Sequence, residues 1–162
     1  MVSKFKVNKN TLSCIFILAI FLIDRVSKQI IIYFLSSLEE SNIKVASFLN
    51  LNLIWNEGIA FGLLSFDQKI YYNSLTILIC LITLILVLLM LKSNGFEKIG
   101  FLLIIGGSTG NLYDRLVYSA VPDFIDLHFF NFHWFIFNVA DIFICLGVIL
   151  LIFLEMFQKK KI

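Results

Sequence analysis

Residues Ile70–Leu91 read IYYNSLTILICLITLILVLLML and contain no charged side chain. A helix needs about 20 mostly apolar residues to cross the ~30 Å hydrocarbon core of a bilayer. Three further runs have similar length and apolar content, and these are Thr11–Leu35, Ile99–Val121 and Trp134–Leu154. The sequence therefore predicts an integral membrane protein, mainly α-helical, whose single membrane domain (residues 1–162) contains four transmembrane helices.

The composition supports the same class of protein. Hydrophobic residues make up 60% of the chain and charged residues 15%, whereas soluble domains carry roughly 45–50% and about 25%. Too few polar side chains remain to cover a water-exposed globule. The net charge of +2 is small, and we expect no nucleic-acid partner.

The cysteines and histidines do not indicate a metal centre. Cys14, Cys80 and Cys145 each lie inside an apolar run, which predicts small packing residues without a disulfide. His128 and His133 share one loop, far in sequence from any cysteine, so no zinc-ligand spacing is present. We expect no metal and no organic cofactor.

The basic residues predict the orientation in the membrane. Eight of the thirteen Lys and Arg residues belong to the N-terminal tail, the Lys92–Lys98 turn and the C-terminus. Basic residues favour the cytoplasmic side, so both termini are predicted to be cytoplasmic. Asp24, Arg25 and Lys28 interrupt the first run, which is therefore expected to be a retained anchor and not a cleaved signal peptide.

The loop of residues 36–69 after the first span is then external. Leu49, Leu51 and Leu53 alternate with asparagines, the period of a half-buried strand, and residues 43–45 suggest a partner strand. A turn at residues 55–58 and an apolar stretch at residues 59–64 follow, the latter expected to lie on the membrane. We predict a small extracytoplasmic β-sheet in this loop.

Three spans carry polar residues at similar predicted depth. At ~1.5 Å per helical residue, Asp24 lies ~20 Å along span one, while Asn111 and Asp114 lie ~18 and ~22 Å along span three. Asp141 is expected ~10 Å below the outer end of span four, and Asp123 at the outer rim. Ionisable residues inside a membrane are functional candidates because they are costly to bury.

The sequence spacing places several of these residues on the same helix face. For some of them a structural role is an alternative to a functional one. Asn111, Asp114 and Arg115 share one face, as do Asn138 and Asp141. Asp24 and Lys28 have the spacing of an ion pair that orders the bundle.

Other polar and small residues have simpler interpretations. Arg115 is also placed to extend towards the interface, and Gly106, Gly107 and Gly110 form a face for close helix packing. Asp67 and Asp126 are interpreted as solvated loop acids.

The residue types and their spacing are compatible with more than one function. Ser27 and Lys28 point about 100° apart on a helix and cannot form a catalytic dyad. Asp123 and Asp141 are suited to share a proton, one acting as base and the other as acid in aspartyl proteolysis. A proton or ion transporter using Asp24, Asp114 and Asp141 is an alternative, and a structural membrane subunit is a third.

Five motifs resemble those of bacterial lipoprotein signal peptidase, the signal peptidase II family, over essentially the whole chain. They are Asp24-Arg25-Val26-Ser27-Lys28, the segment of residues 56–62 (NEGIAFG), the segment of residues 106–115 (GGSTGNLYDR), Val121-Pro122-Asp123-Phe124-Ile125, and Phe137-Asn138-Val139-Ala140-Asp141.

The resemblance implies catalytic and supporting residues. The family's catalytic aspartates fall on Asp123 and Asp141. Its substrate-binding or supporting residues fall on Asp24, Lys28, Asn56, Gly58, Asn111, Asp114, Arg115 and Asn138. Arg25, Ser27, Pro122 and Ile142 stand where the family usually has Gln, Thr, Val and Ser.

The resemblance also implies an activity and its partners. Family members cleave the signal peptide from diacylglyceryl-modified prolipoproteins at the outer face of the bacterial cytoplasmic (inner) membrane, need no cofactor and are inhibited by globomycin. We expect a multi-pass monomer that contacts membrane lipid. Spans two to four have no ionisable residue in their cytoplasmic halves, which favours an outward-facing enzyme over a transmembrane relay.

Overall fold

A computed structural model describes residues 9–38, 42–58, 68–129 and 132–158. These residues form four helices: α1 (Lys9–Leu38), α2 (Gln68–Lys92), α3 (Gly95–Tyr118) and α4 (Val139–Gln158). They also form four strands: β1 (Asn42–Ala46), β2 (Leu49–Asn56), β3 (Val121–Phe129) and β4 (Phe132–Phe137). Within the described residues, two helical stretches are long and apolar enough to cross a membrane, Ile70–Lys92 and Val139–Phe157.

Helix α3 is the centre of the bundle and contacts each of the other three helices. Its glycines allow the close approach predicted from the sequence. A Cβ at Gly107 would collide with the Ala140 carbonyl oxygen of α4, and one at Gly106 would come within 2.8 Å of Ile20 on α1. The small-residue face is thus confirmed as a packing surface that brings α1 and α4 against α3.

The bundle exposes apolar side chains and buries charged ones. Large aliphatic residues such as Ile77, Leu81 and Leu88 are exposed on α2, as expected for helices that face lipid. The cysteines, expected as packing residues, are instead exposed on this apolar surface. The positions where the helices approach most closely are occupied by glycines and not by these cysteines.

The sheet is larger than predicted. Strands β1 and β2 confirm the predicted pair in the first loop, and β3 and β4 extend it to an antiparallel sheet in the order β1-β2-β3-β4. The predicted spans three and four are therefore too long at their outer ends. Helix α3 ends at Tyr118, followed by Ser119 in a left-handed conformation (φ 57°), and α4 begins only at Val139.

A physical ambiguity explains the boundary error at the start of span four. The segment Phe132–Phe137 reads FHWFIF, an apolar run that hydropathy does not distinguish from a helix, although its aromatic content favours a strand. Asp141 consequently lies in the first turn of α4 and not ~10 Å below its outer end. Asp123 lies on a strand and not in a loop. The predicted membrane-surface stretch of residues 59–64 and Asp67 lie outside the described residues.

Candidate active site

Strand pairing brings Asn56 to Asp123. In the β2–β3 register, Asn56 pairs with Val121 and Ile54 with Asp123. Asn56 Nδ2 then donates to Asp123 Oδ2 at 2.9 Å. The Asn56 side chain is itself fixed, because its Oδ1 accepts a hydrogen bond of 2.8 Å from the backbone N–H of Gly58.

Gly58 has a conformational reason to be glycine. Its φ of +85° belongs to the left-handed region, and a Cβ there would come within 2.8 Å of Leu75 Cδ2. The predicted role of Gly58 in the site thus has a physical basis, since the turn that it permits orients Asn56.

Asp141 is held at the start of α4 by reciprocal hydrogen bonds with Asn138. The Asp141 backbone N–H donates to Asn138 Oδ1 at 3.2 Å, and the Asn138 N–H donates to Asp141 Oδ2 at 3.0 Å. This pattern is a capping box, in which an acidic side chain is stabilised at a helix N-terminus. It offsets the cost of burying a carboxylate that has no basic neighbour on its own helix.

Asn138 joins the two candidate catalytic carboxylates. Besides capping Asp141, the fully buried Asn138 donates from Nδ2 to Asp123 Oδ1 at 2.6 Å. One amide side chain therefore contacts β3 and α4 at once. The structure brings together the pair that the sequence predicted.

The pKa of Asp123 is raised above its ordinary value. Burial is the largest cause, because it penalises the ionised form. Hydrogen bonds from Asn56 and Asn138 oppose the rise, and the negative charge of Asp141 adds to it. The negative charge of Asp141 therefore disfavours ionisation of Asp123.

A buried charge cluster lies beneath the pair. Lys28 Nζ donates to Asp24 Oδ2 (2.9 Å), Asp114 Oδ2 (2.7 Å) and Asn111 Oδ1 (2.9 Å). The predicted Asp24–Lys28 ion pair is confirmed, and it is part of a larger network. Lys28, Asp24 and Asp114 are fully buried, so each charge is compensated inside the bundle.

This cluster contacts α4 at two points. Asn111 Nδ2 donates to Asp141 Oδ1 at 2.8 Å. The Ala140 backbone N–H donates to Asp24 Oδ1 at 3.0 Å, which satisfies a further amide at the helix start. A Cβ at Gly110 would come within 2.5 Å of Asp24 Oδ2, so this glycine leaves room for the cluster.

The predictions did not place Arg25 among the site residues. Its guanidinium pairs with both carboxylate oxygens of Asp114 and lies over the Tyr113 ring, 5.0 Å from the centroid. The available signal was an arginine within an apolar run, next to Asp24, which required a buried partner.

Asp126 lies differently from expectation, and the role of Arg115 stays a prediction. Asp126, interpreted as a solvated loop acid, is only 2% exposed on β3 and accepts a hydrogen bond from Asn50 at 3.4 Å. Arg115 lies near the Asn111 carbonyl and Tyr72, and its Nε is buried without a hydrogen-bond partner among the described residues.

The arrangement suits general acid–base chemistry on a peptide bond. A buried carboxylate and a partly buried one, linked through Asn138, can divide the roles of proton donor and acceptor. In the described part of the chain, no three His, Cys, Asp or Glu side chains are grouped to hold a metal ion. An apolar bundle with such a pair at the end of its helices has the arrangement expected of an aspartic-type peptidase of the membrane.

Comparison with known proteins identifies the family. Residues 16–157 match the family model described as signal peptidase (SPase) II, so the chain belongs to the signal peptidase II family. It is therefore an aspartic-type peptidase. The comparisons give no support to the transporter alternative.

Relatives and solved structures agree with this membership. The chain is 54% identical to the lipoprotein signal peptidase of Pelagibacter ubique (strain HTCC1062) over 93% of its own length and 90% of the relative's. It is 44% identical to that of Francisella tularensis subsp. novicida (strain U112), over 74% and 77%. A bacterial membrane enzyme solved by the in meso method at 1.9 Å resolution superposes with a TM-score of 0.72 and 30% identity, covering 89% of this chain and 92% of that one.

Proposed function

We propose that Asp123 and Asp141 are the catalytic pair with which this chain removes the signal peptide from a diacylglyceryl-modified prolipoprotein. Signal peptide removal from prolipoproteins follows from family membership and from the 54% identical relative. The residue assignment is supported by the two hydrogen bonds of the Asn138 side chain. Its Nδ2 donates to the Asp123 carboxylate, and its Oδ1 accepts from the Asp141 backbone N–H.

The proposed step needs one protonated and one ionised carboxyl group. The ionised carboxylate takes a proton from water, whose oxygen adds to the carbonyl carbon before the lipid-modified cysteine. The protonated carboxyl group then donates its proton to the cysteine nitrogen as the C–N bond breaks. The products are a signal peptide with a new carboxyl end and a lipoprotein with a free cysteine amine. Because the two carboxyl groups interact, their pKa values describe the pair and not either aspartate alone.

Substrate contacts are proposed for the surrounding polar groups. The buried Arg115 Nε is an unpaired donor among the described residues, suited to a substrate carbonyl. Asn56, Asn111 and Asn138 orient the carboxylates by the hydrogen bonds above. Asp24, Lys28 and Asp114 support these residues from below.

The membrane placement is part of the proposal. All four helices span the bacterial inner membrane, both termini are cytoplasmic, and the sheet and the carboxylate pair lie at the outer face. The basic residues of the termini and of the α2–α3 turn support this orientation. The enzyme acts as a monomer in contact with membrane lipid and is inhibited by globomycin.

The test uses the full chain in lipid with a synthetic prolipopeptide that carries a diacylglyceryl cysteine. Mass analysis of the products should show cleavage immediately before that cysteine, and globomycin should abolish it. The same peptide with an unmodified cysteine is the matched control and should remain uncleaved. Cleavage at another bond, or equal cleavage of both peptides, contradicts the proposal.

A further inference from the structure

An apolar cavity of about 540 Å³ opens beside Asp141. Its walls come from the β3–β4 hairpin, from the turn between β1 and β2, and from one side of α4. The aromatic part of the lining consists of Phe48, Phe129, Phe132, Phe135 and Phe137. None of these phenylalanines has a role in the hydrogen-bond network of the carboxylate pair.

The cavity is elongated along α4. Asp141, Ile142, Cys145 and Leu146 line it, and residues with this spacing share one helix face. Leu146 lies ~7.5 Å further along the helix axis than Asp141 at ~1.5 Å per residue. The cavity therefore runs from the carboxylate down the apolar side of α4.

The lining favours a hydrocarbon over a peptide. The α4 backbone is hydrogen-bonded within its own helix, and most lining side chains of α4 and the hairpin are apolar. A peptide segment that lies along α4 would leave its backbone N–H and C=O groups on that side without partners, which is costly. An acyl chain has no polar group to satisfy.

We infer that this cavity, between the β3–β4 hairpin and α4, holds an acyl chain of the substrate's diacylglyceryl cysteine. The inference rests on the proposed function and deepens it. A chain that lies along α4 from Asp141 has its attached glyceryl group next to the carboxylate pair. The bond to be cleaved is adjacent to the lipid-modified cysteine, so the cavity positions that bond by its lipid.

The test compares two prolipopeptides of identical sequence, one with palmitoyl chains and one with acetyl groups on the glyceryl cysteine. Cys145→Trp occupies part of the cavity and should lower kcat/KM for the palmitoyl peptide about tenfold, by excluding about two methylenes, while sparing the acetyl peptide. Cys80→Trp, at an exposed cysteine of α2, is the matched control and should change neither.

A labelling measurement covers the case in which Cys145→Trp does not fold. In a Cys14→Ser, Cys80→Ser, Asp123→Asn background, Cys145 is the single thiol and turnover is blocked. The palmitoyl peptide should slow its alkylation by a small maleimide, and the acetyl peptide should not.

Four results overturn the inference. An equal loss of kcat/KM for both peptides, or equal alkylation rates with both, shows that the cavity does not bind the chain. A change in preference for signal-peptide sequence instead of chain length assigns the cavity to a peptide, for example one paired with the edge strand β4. Failure of the unsubstituted enzyme to cleave either peptide overturns the proposed function, and the inference with it.

Discussion

Lys28 fixes the orientation of Asn111. The lysine Nζ donates to Asn111 Oδ1 at 2.9 Å, so the other end of the amide, Nδ2, faces Asp141 Oδ1 at 2.8 Å. A reversed amide would place an N–H group against an ammonium and an oxygen against a carboxylate. The buried cation thus determines which atom meets the candidate catalytic carboxylate on another helix.

Asn111→Asp tests this orientation. The aspartate keeps an acceptor for Lys28 but replaces the donor to Asp141 with an oxygen. Loss of a hydrogen bond to a charged group, worth about 1.5–3 kcal/mol, should lower kcat roughly 10- to 100-fold. Asn94→Asp, at the exposed start of the same helix, is the control and should retain full activity. Equal kcat for the wild type and Asn111→Asp contradicts the orientation argument.

The carboxylate pair itself is tested by Asp123→Asn and Asp141→Asn. Each substitution keeps the size of the side chain but removes its ability to exchange a proton, so cleavage should fall about 100-fold or more. The double variant should be hardly worse than either single one, because the residues act as a unit.

The control for the pair must be an exposed acid. The buried Asp126 is unsuitable, since its replacement disturbs the sheet. Glu97→Gln, at an exposed position on α3, should leave cleavage unchanged. If Asp123→Asn cleaves at the wild-type rate while Asp114→Asn does not, the second catalytic acid is Asp114.

Local spacing predicted the contacts that lie within one helix turn. The i,i+4 relation of Asp24 and Lys28 and the i,i+3 relation of Asn138 and Asp141 both correspond to observed hydrogen bonds. The close packing of α3 against α1 and α4 also followed from its glycines. These features depend on helix geometry alone, which a sequence pattern expresses directly.

Contacts made through the sheet could not be predicted in the same way. The hydrogen bond from Asn56 to Asp123 depends on the β2–β3 register, which includes an irregularity between Leu51 and Ile54. A shift of one residue would turn these side chains to the opposite face. Most of β3 was predicted as a loop and most of β4 as the start of span four, so the burial of Asp126 was also missed.

Gly58→Ala tests the turn that orients Asn56. A non-glycine residue in the left-handed region costs roughly 1–2 kcal/mol, and the new Cβ would lie 2.8 Å from Leu75 Cδ2. We expect lower thermal stability and lower kcat, because Asn56 loses its position beside Asp123. Gly95→Ala is the matched control, with φ +59° but no atom within 4 Å of the Cβ. It should lower stability and leave kcat unchanged, and a parallel fall in kcat for both variants would show that the turn has no specific role.

The pH dependence of stability reports on Asp123. Its pKa is raised in the folded protein from the ordinary 3.8, so the folded state binds this proton more tightly than the unfolded state. The stabilisation that protonation provides is lost as the pH rises through the folded pKa. As the pH rises from 4 to neutrality, the Tm of the wild type should therefore fall relative to the Tm of Asp123→Asn. The substitution itself adds a difference in Tm that does not depend on pH. A pH-independent difference in Tm, measured in detergent, contradicts the raised pKa.

Arg25 and Lys28 both compensate Asp24 and Asp114, but only Lys28 contacts Asn111. Arg25→Gln should therefore lower Tm, because it removes an ion pair with Asp114. The lost charge-assisted hydrogen bonds stabilise the fold and do not position Asp123 or Asp141, so kcat should stay within about twofold of the wild type. Lys28→Met should lower both, because breaking a buried pair costs about 3–5 kcal/mol and the Asn111 amide loses its anchor.

Lys92→Met, at the exposed end of α2, is the control for loss of a lysine and should change neither quantity. Thermal unfolding and single-turnover cleavage, measured on the same preparations, separate the two effects. A fall in kcat for Arg25→Gln as large as that for Lys28→Met would mean that charge compensation alone, and not the orientation of Asn111, determines the activity of Asp141.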